Sequence, residues 1–492
     1  TFPTRVRLPA ERLLLCHRVM SIEGETKSLG SGKMTTEHDV FPNAWYLDGD
    51  YMPTAIAVES GQADLMLSAY LGADFATRGE AVYRLLDARV SFHSDLPKVG
   101  ETIRYDIEIK KFFEQGGTLF FNFAFEAYIG DRHLMSMVDG CAGFFSQRAL
   151  DEGRGVKRSQ LQLKGYKGKI AGDYRPFVPM AVESYSDAQI NALQRGDYAE
   201  AFGPAFAAVN LTNPKSLPSG DMKLVHRILT LEPEGGRFGI GRVIGEADIH
   251  PDDWFLTCHF IDDQVMPGTL MFECCLHTLR VFLMRAGWVG EAEEQNFLPM
   301  PGIYSQLKCR GQVLSHTQKV TYEIEIKEMG YGPDAYVVCD ALMYADGKPI
   351  VDIIDMSLRI PGFTKAKLEG IWSSSKTLLP LVSPKPQFTY EHILAFSDGN
   401  PSDCFGPIYK PFDKDRKIAR LPRPPFQFLD SVEWVEGPYM KQNVGTRLLA
   451  HYELPDEAWF WACHQNRLPF SVLVEIALQP CGFMAAYMGS AL

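Results

Sequence analysis

A unit of about 200 residues recurs three times along this chain. No other feature restricts the fold as tightly, because a repeat sets an architecture that single motifs leave open. Each copy opens on Leu-Pro and an apolar run: Leu8-Pro-Ala-Glu-Arg-Leu-Leu-Leu-Cys-His17, Leu217-Pro-Ser-Gly-Asp-Met-Lys-Leu-Val-His226 and Leu421-Pro-Arg-Pro-Pro-Phe-Gln-Phe-Leu-Asp430. Further along, each copy has a Trp in an aromatic, strand-like stretch, then a loop, then a Pro that opens a helix: Trp45 to Pro53, Trp254 to Pro267, Trp459 to Pro469. Proline suits a first helical turn, where its missing N–H would be unpaired anyway. Six residues after each of these prolines stands a glutamate: Glu59, Glu273 and Glu475.

Downstream of the helix, copies one and two alternate apolar and polar residues, as in Thr102-Ile-Arg-Tyr-Asp-Ile-Glu-Ile109 and Val320-Thr-Tyr-Glu-Ile-Glu-Ile326. Period-two patterning of this kind marks half-buried antiparallel strands. The unit is therefore expected to be a strand, one long helix, then a meander of strands, an α+β architecture in tandem. The helices are apolar nearly all round (Ile56-Ala-Val-Glu59, Leu270-Met-Phe-Glu273, Val472-Leu-Val-Glu475), as suits a helix wrapped by a sheet. The expected boundaries are 1–150 for the first copy, 151–200 for a linker, 201–363 for the second copy, 364–403 for a second linker and 404–492 for a partial third copy.

Composition narrows the function classes. Hydrophobic residues make up 46% and charged residues 22%, a globular balance. A formal charge of −12 argues against nucleic acid as a partner. The one mildly basic stretch, Lys410 to Arg423, is diluted by Asp413 and Asp415. Ten Cys occur without paired CxxC spacing, as expected of reduced thiols in a cytoplasmic protein. No His/Cys/Asp spacing suggests a metal, and no glycine-rich phosphate loop follows a strand, so no cofactor is expected. No uninterrupted apolar run reaches the roughly 18 residues that span a bilayer. The start, Thr1-Phe-Pro-Thr-Arg5, does not read as a signal peptide, and the chain reads as part of a longer polypeptide.

The segment Trp254-Phe-Leu-Thr-Cys-His-Phe-Ile-Asp-Asp-Gln-Val-Met-Pro-Gly-Thr-Leu-Met-Phe-Glu273 carries the chemistry. It resembles the active-site motif of the bacterial β-hydroxydecanoyl-ACP dehydratase/isomerase family: a His, a short loop, Val-Met-Pro-Gly, and an acid fourteen residues after the His. The family's acid is usually Asp, where this chain has Glu273. Glu273-Cys-Cys-Leu-His277 and Glu475-Ile-Ala-Leu-Gln479 look like the acid-x-x-x-Gln/His motif of polyketide dehydratases. The succession of copies is similar to the tandem dehydratase region of polyunsaturated fatty acid synthases. The resemblance implies tandem hotdog folds, each an antiparallel sheet around a central helix, with copies one and two forming a double-hotdog pseudo-dimer. It implies dehydration of β-hydroxyacyl-ACP thioesters to trans-2-enoyl thioesters in (polyunsaturated) fatty acid biosynthesis, with or without isomerisation. The implied partners are an acyl carrier protein with a phosphopantetheine-linked acyl chain and other megasynthase domains; neither nucleic acid nor a membrane is implied.

Such a reaction needs a base for the α-proton and an acid for the leaving hydroxyl, which an imidazole and a carboxyl held protonated by apolar surroundings can supply. In this family the His of one hotdog faces the acid of the other. That assigns His259 as base, Glu59 as acid and the Gly268 N–H as donor to the enolate-like oxygen, with Glu273 as the competing acid. The reciprocal site has Asp48 or Asp50 where a His is required, so it is expected to be inactive. His464 and Glu475 are the candidates in copy three. Asp262 and Asp263 are expected in solvent, and His17, His226 and His277 in structural roles. A hotdog thioesterase and a non-catalytic acyl-binding scaffold are the alternatives.

Overall fold

The computed structural model describes residues 2–170, 174–373, 386–455, 457–463 and 468–490. It divides into two units, Thr1–Lys376 and Thr377–Leu492. Strand formation in the first follows the alternation in the sequence: Ile103, Tyr105, Ile107 and Ile109 are buried, while Arg104, Asp106 and Glu108 between them face outward.

Two lobes of this unit share one sheet. From the middle outward, the first lobe runs Val82–Phe92, Arg132–Phe145, Thr118–Ile129, Thr102–Gln115, Gly32–Asp39, Arg18–Glu23. The second repeats that order as Tyr304–Cys309, Lys348–Thr364, Asp334–Ala345, Lys319–Tyr331, Arg242–Asp248, Arg227–Glu232, with Glu183–Tyr185 added at its edge. The two middle strands pair antiparallel, Tyr304 opposite Ser91 and Lys308 opposite Asp87. Repeat-equivalent residues also meet: Trp45 and Trp254 make an edge contact with ring centroids 4.6 Å apart. This is a double hotdog.

The second lobe wraps a helix, Gly268–Arg285, buried along nearly its whole length. The first lobe departs from the expected single helix, which is broken into Thr54–Glu59, Asp64–Tyr70 and Ala73–Thr77. The first break passes Gly61, where a Cβ would lie 2.7 Å from the Tyr105 ring and 2.8 Å from Phe125. The stretches after Trp254 and Trp459 also differ from expectation, since Trp254–Cys258 and Trp459–Cys463 are short helices. Aromatic residues favour strands only where a pleated surface receives them, and Trp254 is instead held by tertiary packing on Trp45.

The second unit holds a two-stranded sheet, Ser431–Glu436 with Arg447–His451, and the helix Phe470–Tyr487. By length and composition, with a mean hydropathy of 1.4, this helix could cross a membrane. A search for unbroken apolar runs misses it because Glu475, Gln479 and Pro480 interrupt the sequence. Gln479 fastens the helix locally, accepting from the Phe428 N–H at 2.7 Å and donating to the Phe426 carbonyl at 2.9 Å.

Candidate active site

The side chains flanking His259 explain why it lies at the lobe junction. Cys258, Phe260 and Val265 belong to the hydrophobic core of the first lobe. Each large apolar side chain so buried contributes about 1.5–3 kcal/mol. The His259 segment is thereby anchored on the neighbouring lobe. The ring is 8% exposed, and its Nδ1 lies 2.7 Å from the Val265 carbonyl oxygen. A carbonyl only accepts, so Nδ1 carries the proton and Nε2 presents its lone pair. That Nε2 is 3.9 Å from Glu59 Oε1. Burial lowers the His259 pKa below its usual value, against the opposing charge of Glu59, which favours the neutral, basic ring.

Glu59 ends the first helical segment of its lobe, and its Oε2 accepts a 2.6 Å hydrogen bond from the Thr269 hydroxyl. Thr269 follows Gly268, the first residue of the second lobe's helix. An N–H there has no acceptor within the helix and sits at the positive end of the helix dipole, so Gly268 can donate to a developing oxyanion. A Cβ at Gly268 would make ordinary contacts with Cys309 and Leu85, at 3.5 and 3.7 Å, so the protein itself does not crowd this position. Asp263 is not solvated as expected: it is paired with Arg84, whose Nη2 is 2.9 Å away, while Arg84 also holds Gln312 at 2.7 Å. Asp262 accepts the Arg5 N–H at 3.2 Å and lies 3.4 Å from Arg7. Both acids fold back because the loop packs on the first lobe.

The reciprocal position is filled by a charge network. Glu273 is fully buried, accepts the Ala55 N–H at 3.0 Å, and lies 3.2 Å from His277 Nε2 and 3.8 Å from Arg280. Asp48 stands opposite, 2.7 Å from both Lys215 and Arg280. Burial pushes the Asp48 carboxyl up, but these two cations outweigh it and hold it at about 2. Burial likewise works against the Glu273 carboxylate, yet His277, Arg280 and the Ala55 N–H bring it below its usual range, opposite to the rise expected from apolar flanks. Glu273 is therefore engaged with this network. In copy three Glu475 is half-buried and accepts from Gln479 at 3.4 Å, while His464 lies outside the described residues.

A narrow apolar cleft of about 40 Å³ runs between the lobes, lined by Val58, Thr269, Phe272, Val90 and Leu307 among others. On the outer side, Leu85 and Cys309, which adjoin Gly268, form part of a groove of about 440 Å³ with Arg84, Arg154, Arg310 and Lys348. Among the described residues, none form a cluster of three or more His, Cys, Asp or Glu able to hold a metal.

Several residues here escaped sequence reasoning. Thr269 stood beside Gly268 in the quoted motif, and Arg280, seven residues after Glu273, shares its helix face; both were findable by spacing. Lys215 and Arg84 carried no such signal, since their partners are 167 and 179 residues away.

A polyunsaturated fatty acid synthase polypeptide from Thraustochytrium sp. (strain ATCC 26185 / S-3) is 27% identical over 99% of this chain, which spans 40% of that relative's length. Solved structures similar to this chain include the dehydratase domain from the CurJ module of curacin polyketide synthase, at 9% identity and TM-score 0.36, covering 73% of this chain and 99% of that one. A putative oleoyl thioesterase from Lactobacillus plantarum matches at 10% identity and TM-score 0.35, covering 68% and 99%. At such values neither structure distinguishes dehydration from hydrolysis. The FabA-like domain model matches residues 8–137 and 217–354, the two lobes in register and more than half of the chain, and the protein belongs to the FabA-like domain family.

Proposed function

We propose that the first unit dehydrates β-hydroxyacyl thioesters, delivered on the phosphopantetheine arm of an acyl carrier protein, to trans-2-enoyl thioesters during fatty acid biosynthesis. The observation that carries this reading is the bare Nε2 of His259 facing Glu59 at 3.9 Å across the lobe junction. His259 takes the α-proton, the Gly268 N–H receives the thioester oxygen as charge builds on it, and Glu59 protonates the leaving hydroxyl. The acyl chain enters between the lobes, where Val58, Phe272, Val90 and Leu307 line an apolar cleft that has to widen to admit it. The synthase relative supports a fatty acid substrate. Incubation with a carrier-bound β-hydroxyacyl thioester should produce the absorbance of a conjugated enoyl thioester. Release of free thiol without enoyl product would replace this reading with thioester hydrolysis.

Thr269→Val keeps the shape of the side chain and removes the donor to Glu59. With about 1.5–3 kcal/mol attached to a hydrogen bond on a charged group, kcat should fall about tenfold or more, with a loss of folding stability no larger than that hydrogen bond.

The basic groove supports the carrier arm as substrate handle. Among the described residues Arg154 makes no ion pair, and Lys348 Nζ beside it reaches only the Gly153 carbonyl at 2.6 Å. Arg154→Glu should raise KM for a carrier-bound substrate about tenfold more than for a thioester lacking phosphate, as steady-state kinetics at low salt would read.

A further inference from the structure

The loop that carries His259 is closed on itself and then tied to the other lobe. Val265 donates its N–H to the His259 carbonyl at 2.8 Å and accepts from the His259 ring, while the Phe260 N–H donates to the Asp263 carbonyl at 2.6 Å. Residues 259–265 therefore form one small hydrogen-bonded unit. Such bonds fix the internal shape of the loop but not the direction in which it points. Direction has to be set from outside, and the Asp263 side chain is the point of attachment.

Arg84, on the first lobe's strand Val82–Phe92, holds that carboxylate with a forked pair of bonds, Nη1 to Oδ2 and Nη2 to Oδ1, the second at 2.9 Å. The guanidinium is itself fixed from two further directions: Nε donates to Gln312 at 2.7 Å and Nη1 to the Tyr83 carbonyl at 2.6 Å. Four of the five N–H donors that an arginine offers are thereby committed to protein groups. The Arg84 and Asp263 side chains are 12% and 13% exposed, so little water competes for the pair. A planar fork meeting a carboxylate resists both sliding and rotation, which a lysine at the same place would not do.

Resting on the dehydratase reading, we infer that Arg84 is a positioning residue for the general base: through Asp263 it aims the His259 loop so that Nε2 faces Glu59 across the lobe junction. The first lobe thus serves this one site twice, supplying the acid directly and the direction of the base through an ion pair. Arg84 also lines the groove outside Gly268, so a role confined to binding the substrate arm is the outcome to separate from this one.

Arg84→Lys keeps the charge and removes the fork. It should lower kcat for enoyl thioester formation about tenfold or more, with KM for a carrier-bound substrate within about twofold of wild type, because small displacements of a reacting group are costly. Asp263→Asn should lower kcat similarly, and the two changes together should cost little more than either alone, since both undo one contact. A second measurement reads the aim of His259 in the resting protein. In an NMR titration of His259, Glu59→Gln should lower the midpoint, because the Glu59 charge favours the protonated ring; in the Arg84→Lys background the same change should lower it by clearly less. Equal displacement of the midpoint in the two backgrounds overturns the inference, as does an Arg84→Lys variant with wild-type kcat or with only KM raised. Unequal displacement in a protein that forms no enoyl product would end the dehydratase reading and uphold the aiming of His259 by Arg84.

Discussion

Replacing His259 with alanine is expected to lower kcat for enoyl thioester formation by about 10²–10⁴-fold, the range supplied by a positioned general base. Nε2 is the only atom of that ring free to take a proton, since Nδ1 is committed to the Val265 carbonyl. Glu59→Gln should produce a loss of the same order, because glutamine keeps the contact with Thr269 but has no proton to give. Combining the two changes should cost far less than the product of the single losses, since each disables the same step. Glu273→Gln serves as the contrast: that side chain is tied to His277, Arg280 and the Ala55 N–H, so its loss should register in stability rather than in kcat. A large kcat loss in Glu273→Gln, with Glu59→Gln fully active, would move the acid to the other lobe. Because burial lowers the His259 pKa, the acid limb of the kcat/KM profile should lie below pH 6.5, with activity falling as the ring gains a proton.

The second large effect concerns folding. Asp48→Ala removes the carboxylate on which buried Lys215 and Arg280 converge, and should destabilise the first unit by about 3–5 kcal/mol, measured by denaturant unfolding. Asp48 has its folded pKa depressed to about 2, so its contribution is present above the unfolded value near 3.9 and disappears as pH falls toward about 2. Acid unfolding in that window should be shallower in the alanine variant by about 2–3 kcal/mol. Equal acid sensitivity in the two proteins would show that the pairing does not contribute to folding.

Legibility in the sequence followed the range of the interactions. The repeat, the alternating strands and the glutamate six residues past each helix-opening proline are local patterns, and each has a visible counterpart in the fold. The inactive character expected for the reciprocal site rested on Asp48 or Asp50 standing where a His was needed; of the two, Asp48 is held by two cations, Lys215 and Arg280. What stayed hidden depended on contacts across long stretches of chain. The helix break at Gly61 is set by Tyr105 and Phe125, which a periodicity count over residues 54–70 cannot include. Asp262 and Asp263 looked like ordinary loop acids until the first lobe supplied Arg5, Arg7 and Arg84.

The pairing of the two middle strands, Tyr304 opposite Ser91, also bears on how such a catalyst behaves in use. Separate protomers that each donate half a site come apart on dilution, and their specific activity then falls with protein concentration. Here His259 and Glu59 are parts of one polypeptide whose lobes are stitched by backbone hydrogen bonds, so encounter between them is intramolecular. Rate per chain should stay constant from micromolar to nanomolar protein, and a single copy tethered within a larger assembly would be sufficient for turnover.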